Sequence, residues 1–184
     1  MGNRLSKIYT RTGDAGDTGM ADGSRVAKDA PLVNAIGEVD ELNSQLAVVA
    51  CHAPGEFLAL IRSIQNDLFN VGAELTMNEP LIKQEDVVAL EKSLDELNDS
   101  LAPLKEFILP GGGLAASHCH VARSVCRRVE RTLVNLNKQK ALNSTLLAYI
   151  NRLSDYLFVL ARAISKQEGV GETYWQSDRM KNEK

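Results

Sequence analysis

The chain has 184 residues, with 44% hydrophobic and 24% charged residues and a formal charge of −3. A chain of this size buries enough surface to hold one core unaided, and the composition excludes wholesale disorder. Mild acidity gives no general attraction to nucleic acid or anionic lipid, so neither is expected as a partner. Cys51, Cys119 and Cys126 form neither a CxxC pair nor a disulfide framework, and they read as buried small hydrophobes of a reducing compartment. No apolar run reaches 18 residues, because Arg162 interrupts the longest stretch. These features predict a cytoplasmic, single-domain protein over 1–184 without a transmembrane helix. Met1–Ser6 fits the loose N-myristoylation pattern, which three semi-fixed positions match often by chance.

Residues 7–30 have loop composition, with Gly13, Gly16, Gly19 and Gly23 among Thr10, Thr12, Thr18 and several aspartates. Lys7–Thr10 reads as a short extended lead-in. Five amphipathic helices follow over about 31–167. The first, Ala35–Ala53, carries Ile36, Val39, Leu42, Leu46 and Val49 on one face, leaves Asp40 and Glu41 off it, and stops at Pro54-Gly55. The second runs from about Glu56 to Leu75 and closes at Asn78-Glu79-Pro80. The third spans 85–101. An apolar run, Phe107-Ile108-Leu109, then enters a Pro-Gly-Gly-Gly turn before a long helix over about Leu114–Leu136. Asn143 or Ser144 caps the last helix, which reaches about Lys166. The polar tail, 168–184, is expected to fray or to dock on a neighbour. Short connections and the absence of strand alternation predict an all-α five-helix bundle, ferritin-like and up-down, preceded by a Gly-rich nucleotide-binding loop.

Three segments carry chemistry. Glycines at 13, 16 and 19 let backbone N–H groups curl toward phosphate, while Thr10, Thr12 and Thr18 donate further bonds and Arg11, Arg25 and Lys28 supply charge. No Walker or dinucleotide fingerprint is present, so this composition fits a phosphate cradle and an ordinary surface loop alike. Asp14 and Asp17 would repel bare phosphate; they suit a magnesium ion or the orientation of Arg and Lys. Arg123, Arg127 and Arg131 recur every four residues as a cationic stripe, with Arg128 and Glu130 beside it. Four Arg in nine residues favour planar contacts to phosphate or carboxylate over a merely solvated face. Asn151 and Asp155 share a helical face, where Asn151 serves either a nucleotide or an interhelical polar pair. His118 and His120 point apart on a helix and, with His52, make poor joint ligands, so a protein-built metal site is not expected.

In this order, Tyr9-Thr10-Arg11-Thr12-Gly13-Asp14, Gly23-Ser24-Arg25, Lys28-Asp29, Gly37-Glu38-Val39-Asp40-Glu41-Leu42-Asn43, Phe107–Gly112, Val125–Arg131 and Asn151–Asp155 closely resemble the ATP:cob(I)alamin adenosyltransferases of the propanediol-utilisation type. The likeness covers Lys7 to about Trp175. It implies a homotrimer with sites between subunits, transferring the 5′-deoxyadenosyl group of ATP to cob(I)alamin and releasing triphosphate. By resemblance, Thr10, Arg11, Thr12, Gly13, Thr18 and Lys28 close over the phosphates, and Arg127 with Arg131 contacts the triphosphate. Glu130 fixes nucleotide or Mg²⁺, Asn151 holds adenosine, Arg123 pairs with Asp40 of a neighbouring copy, and Phe107 packs beneath the corrin. A reductase, and a cobalamin-dependent mutase or dehydratase as client for retained adenosylcobalamin, are the implied partners.

Cobalt(I) is itself a strong nucleophile, which explains an inventory with no nucleophile or general base; alignment, charge stabilisation and water exclusion remain as the protein's tasks. Gly113, where many relatives carry Ser or Thr, and Ala15, where Lys is common, depart from the pattern. Two other classes compete: a nucleotide-binding regulator or cofactor-delivery protein on the same trimer, and a purely structural bundle.

Overall fold

The computed structural model describes residues 8–77 and 79–176. Met1–Ser6, Lys7, Asn78 and residues 177–184 lie outside the described residues. Five helices account for most of the chain: α1 (Pro31–His52), α2 (Leu58–Met77), α3 (Gln84–Asp99), α4 (Leu114–Asn137) and α5 (Ser144–Gln167). Helix α1 starts four residues earlier than its apolar stripe, because Pro31 sits at the first turn, where its missing N–H costs nothing. A 3₁₀ turn, Gly55–Phe57, leads into α2. Asn143 caps α5 as expected, its side-chain oxygen accepting from the Thr145 N–H at 3.0 Å.

The helices pack as α2 on α1, α1 on α4, α4 on α5 and α5 on α3. Leu42 and Leu46 of α1, Leu68 of α2, Leu133 of α4 and Leu153 of α5 meet in one buried core. Each such side chain contributes roughly 1.5–3 kcal/mol by leaving water. The long α4 is therefore covered by α1 on one side and α5 on the other, and its remaining face carries the arginines.

Three features depart from the sequence reading. The Gly-rich loop contains a small antiparallel hairpin, β1 (Asp17–Gly19) and β2 (Arg25–Ala27), with Thr18 opposite Val26. The described part of the tail, up to residue 176, returns to its own chain instead of fraying: Ile108 and Tyr174 form an antiparallel bridge. Cys51 is exposed, whereas Cys119 and Cys126 are buried as expected, and burial pushes the Cys119 thiol up to about 12. As inert thiols these two fill space between α4 and α5.

Candidate functional site

The first cluster is built on the hairpin. The Arg25 guanidinium bonds the Asp17 carboxylate and the Thr12 carbonyl, holding the Thr10–Gly16 turn against the strands. That hydrogen bond keeps Asp17 below the usual carboxylate range. Asp17 therefore orients an arginine, one of its two expected roles. Arg11 has a φ of 59°, in the left-handed region that non-glycine residues seldom adopt, and its guanidinium lies 5.5 Å from the Tyr9 ring centroid. The Thr10 and Thr12 hydroxyls are 2.8 Å apart. A Cβ at Gly13 would come within 3.1 Å of the Lys28 ammonium, so the glycine lets that cation lie against the turn. Thr10, Arg11, Thr12 and Lys28 are exposed, while Gly13 and Thr18 are half-buried. Here is an exposed cationic turn with hydroxyls and free backbone.

The second cluster lies along the α4–α5 seam. Asn151 Nδ2 donates to Glu130 Oε1 at 2.7 Å, joining the two helices. Arg127, one turn before Glu130, is exposed. Arg131, one turn on from Arg127, is exposed too and also lines a cleft toward α1 with Glu41 and Arg128. The cationic stripe is thus divided in its work. Arg128 is tied to Glu41 and approaches Glu38 at 3.9 Å, and Thr132 Oγ1 donates to Glu38 at 2.8 Å. Within the Gly37–Asn43 motif, Glu38 and Glu41 hold α4. Asn43 holds α2 through reciprocal bonds with Gln65 at 3.0 and 3.2 Å.

Asp40, from the same motif, does neither. It is exposed and lines a groove between α1 and α2 beside Phe69 and Gly72. Arg123 and Asp40 form no ion pair within the chain, and the buried Arg123 Nε has no hydrogen-bond partner among the described residues. An unpaired buried guanidinium nitrogen is costly, and Nε of Arg123 is such an atom. The hairpin also makes no extensive contact with any helix among the described residues. One copy presents two separate clusters.

The third cluster surrounds Phe107, which is 75% exposed. Gly112 adopts a φ of 105°, and a Cβ there would sit 2.7 Å from Ser165 Oγ and 3.0 Å from the Ala116 methyl; only glycine makes this turn into α4. Gly113, at the N-cap of α4, provides no side-chain cap. Behind the turn lies a cavity of about 210 Å³ lined by Gly112, His120, Arg162, Ser165 and Glu172. The Arg162 guanidinium, 4% exposed, donates to Glu172 at 2.6 Å and to the Ala102 carbonyl at 2.7 Å. His120 is buried with Nδ1 unpartnered, and desolvation, helped by the Arg123 charge, lowers its pKa. Sequence reasoning weighed His120 only as a metal ligand and passed over the Arg162–Glu172 pair, because neither repeats in a motif. Among the described residues no three His, Cys, Asp or Glu side chains gather as a metal-ligating group.

Residues 8–164 match the family described as cobalamin adenosyltransferase. A Cupriavidus metallidurans protein named cobalamin adenosyltransferase is 48% identical over 182 residues, covering 97% of this chain and 99% of its own. This chain belongs to the cobalamin adenosyltransferase family. The corrinoid adenosyltransferase PduO of Salmonella typhimurium is 46% identical over 164 residues; these cover 85% of this chain and 49% of that longer protein. A variant PduO-type ATP:corrinoid adenosyltransferase from Lactobacillus reuteri, solved in complex with cobalamin and ATP, matches with a TM-score of 0.87 at 34% identity. The match covers 93% of this chain and 100% of that one. Within the family this chain sits with the PduO-type corrinoid adenosyltransferases and, like them, is an enzyme.

Proposed function

We propose that the chain transfers the 5′-deoxyadenosyl group of ATP to cob(I)alamin, at sites shared between copies in a homotrimer. The observation that carries this reading is the division of the site. The cationic hairpin turn and the Arg127–Glu130–Asn151 cluster are each exposed, and a neighbouring copy is the natural way to join them. Arg123 takes part in no ion pair among the described residues, and exposed Asp40 of the next copy is its counter-ion in this assembly.

In the step itself the cobalt(I) electron pair attacks C5′, forming the Co–C bond. The bond from C5′ to its phosphate-ester oxygen breaks, and triphosphate leaves with that electron pair. Thr10, Arg11, Thr12, Gly13, Thr18 and Lys28 enclose the phosphates, and Arg127, with Arg131 at the edge, balances charge on the leaving triphosphate. Asn151, positioned by Glu130, binds the adenosine part. Mg²⁺ enters on the nucleotide, since it keeps several waters and needs only one or two carboxylates; Glu130 is the carboxylate placed to serve. Phe107 forms the apolar floor beneath the corrin and excludes the lower axial base. Four-coordinate cobalt(II) is then easier to reduce by a partner reductase. Retained adenosylcobalamin passes to a mutase or dehydratase client in the cytoplasm.

The test is anaerobic absorbance spectroscopy with purified protein, MgATP and chemically reduced cob(I)alamin. Loss of the cob(I)alamin band, with equimolar light-sensitive adenosylcobalamin and triphosphate, is the expected result. Tight binding of both substrates without product would replace the enzyme reading with a delivery protein.

A further inference from the structure

Phe107 does not stand alone. Around the Ile108–Tyr174 bridge, the Leu109 N–H donates to the Thr173 carbonyl and the Trp175 N–H donates to the Phe107 carbonyl, both at 2.8 Å. Side chains alternate across paired strands, so this register puts Phe107 and Trp175 on one face and Ile108 and Tyr174 on the other. The Phe107 and Trp175 rings meet edge to face with centroids 6.4 Å apart. Trp175, the chain's single tryptophan, remains 47% exposed.

The pair is also anchored from below. Glu172, three residues before Trp175, is held by the buried Arg162 guanidinium at 2.6 Å. The same guanidinium grips the Ala102 carbonyl at 2.7 Å, upstream of Phe107. Loop and tail are fastened to one cation of α5, and the Ser165 hydroxyl adds a bond to the Val170 carbonyl at 3.0 Å. Two large rings held rigidly by backbone bonds yet left open to water form a preorganised apolar surface for a flat ligand.

We propose that Trp175 is a second corrin-contacting residue, extending the floor that Phe107 begins, with segment 172–175 as the strap that sets both rings. This rests on the placement of Phe107 beneath the corrin given above. The ligand class is the lower face of a corrinoid macrocycle. In the proposed site ATP is held by the hairpin turn and α4 instead, so a change at Trp175 should separate the two substrates.

The experiment compares wild type, Phe107→Ala, Trp175→Ala and Trp175→Phe in the anaerobic assay, with KM measured separately for cob(I)alamin and ATP. The spectroscopic fraction of four-coordinate cob(II)alamin formed with ATP present is read in parallel. Trp175→Ala is expected to raise the cob(I)alamin KM about ten-fold and reduce the four-coordinate fraction, while the ATP KM stays within about two-fold. Trp175→Phe should recover most of both. If Phe107→Ala shifts the corrinoid readouts and Trp175→Ala does not, the assignment of Trp175 is overturned and the floor at Phe107 stands. If neither variant shifts them, the floor itself is misplaced. Equal losses for both substrates, unrestored by Trp175→Phe, would make Trp175 a packing residue and also overturn the proposal.

Discussion

Replacing Gly112 by Ala strains the turn that connects Phe107 to α4. At φ 105° an L-residue lies outside its ordinary regions, which costs about 1–3 kcal/mol. The new methyl would meet Ser165 Oγ at 2.7 Å, Ala116 Cβ at 3.0 Å and Ser165 Cβ at 3.3 Å, an overpacking of about 1–3 kcal/mol. Reduced freedom of the unfolded chain returns roughly 0.4–1 kcal/mol. The net expectation is destabilisation by about 3 kcal/mol, or about 6–12 °C in Tm for a chain of this length. Denaturant and thermal unfolding at one fixed protein concentration provide the assay, because assembly makes the midpoint concentration-dependent. Gly111→Ala is the internal control, since a Cβ there meets only the Leu109 carbonyl at 3.9 Å. Adding Ser165→Ala to Gly112→Ala removes the 2.7 Å clash and should recover part of the loss. A Gly112→Ala protein within about 1 kcal/mol of wild type, or no more perturbed than Gly111→Ala, would refute the reasoning.

On the proposed pairing between copies, Asp40→Arg should weaken assembly by about 3–5 kcal/mol, because it would set a like charge against Arg123; Arg123→Asp in the same chain should restore it. Sedimentation of the single and double variants checks this, and a swap that fails to restore assembly separates the two residues. His120 makes a pH prediction. Burial depresses its folded pKa below the ordinary value of 6.5, so the unfolded chain binds the proton more readily. Stability is then full above that value and falls as pH drops through it toward the folded pKa. His120→Gln should flatten the fall in Tm between about pH 7.5 and pH 5.5, and an unchanged slope would remove His120 as its source.

Helix positions were legible where burial repeats with the helical period. Leu42, Leu46 and Val49, spaced by three and four, all reach the core of α1, and Asn143 announced the start of α5 by its capping chemistry. The hairpin was not legible, because β1 and β2 are three residues each and polar, held by main-chain bonds and the Arg25–Asp17 pair rather than by apolar alternation. The return of the tail to Phe107 was hidden for a related reason: Leu109 to Thr173 is a long-range backbone pairing with no local signature. Arginine spacing marked α4 as a charged helix but left its division of labour open. Arg128 binds Glu41 of α1, Arg127 is exposed one turn before the Glu130–Asn151 seam, and Arg123 is left without a partner for Nε, which only packing could separate.

The most direct test of the shared site is complementation between two inactive variants. Lys28→Ala damages the hairpin half and Arg127→Ala the α4 half, so each alone should lose most turnover. When the two are denatured together and refolded at equal concentrations, random assembly gives about a quarter of the sites an intact half from each chain. A shared site should recover about that fraction of wild-type turnover. Mixed assemblies that form, as shown by differently tagged chains, yet stay inactive would contradict it.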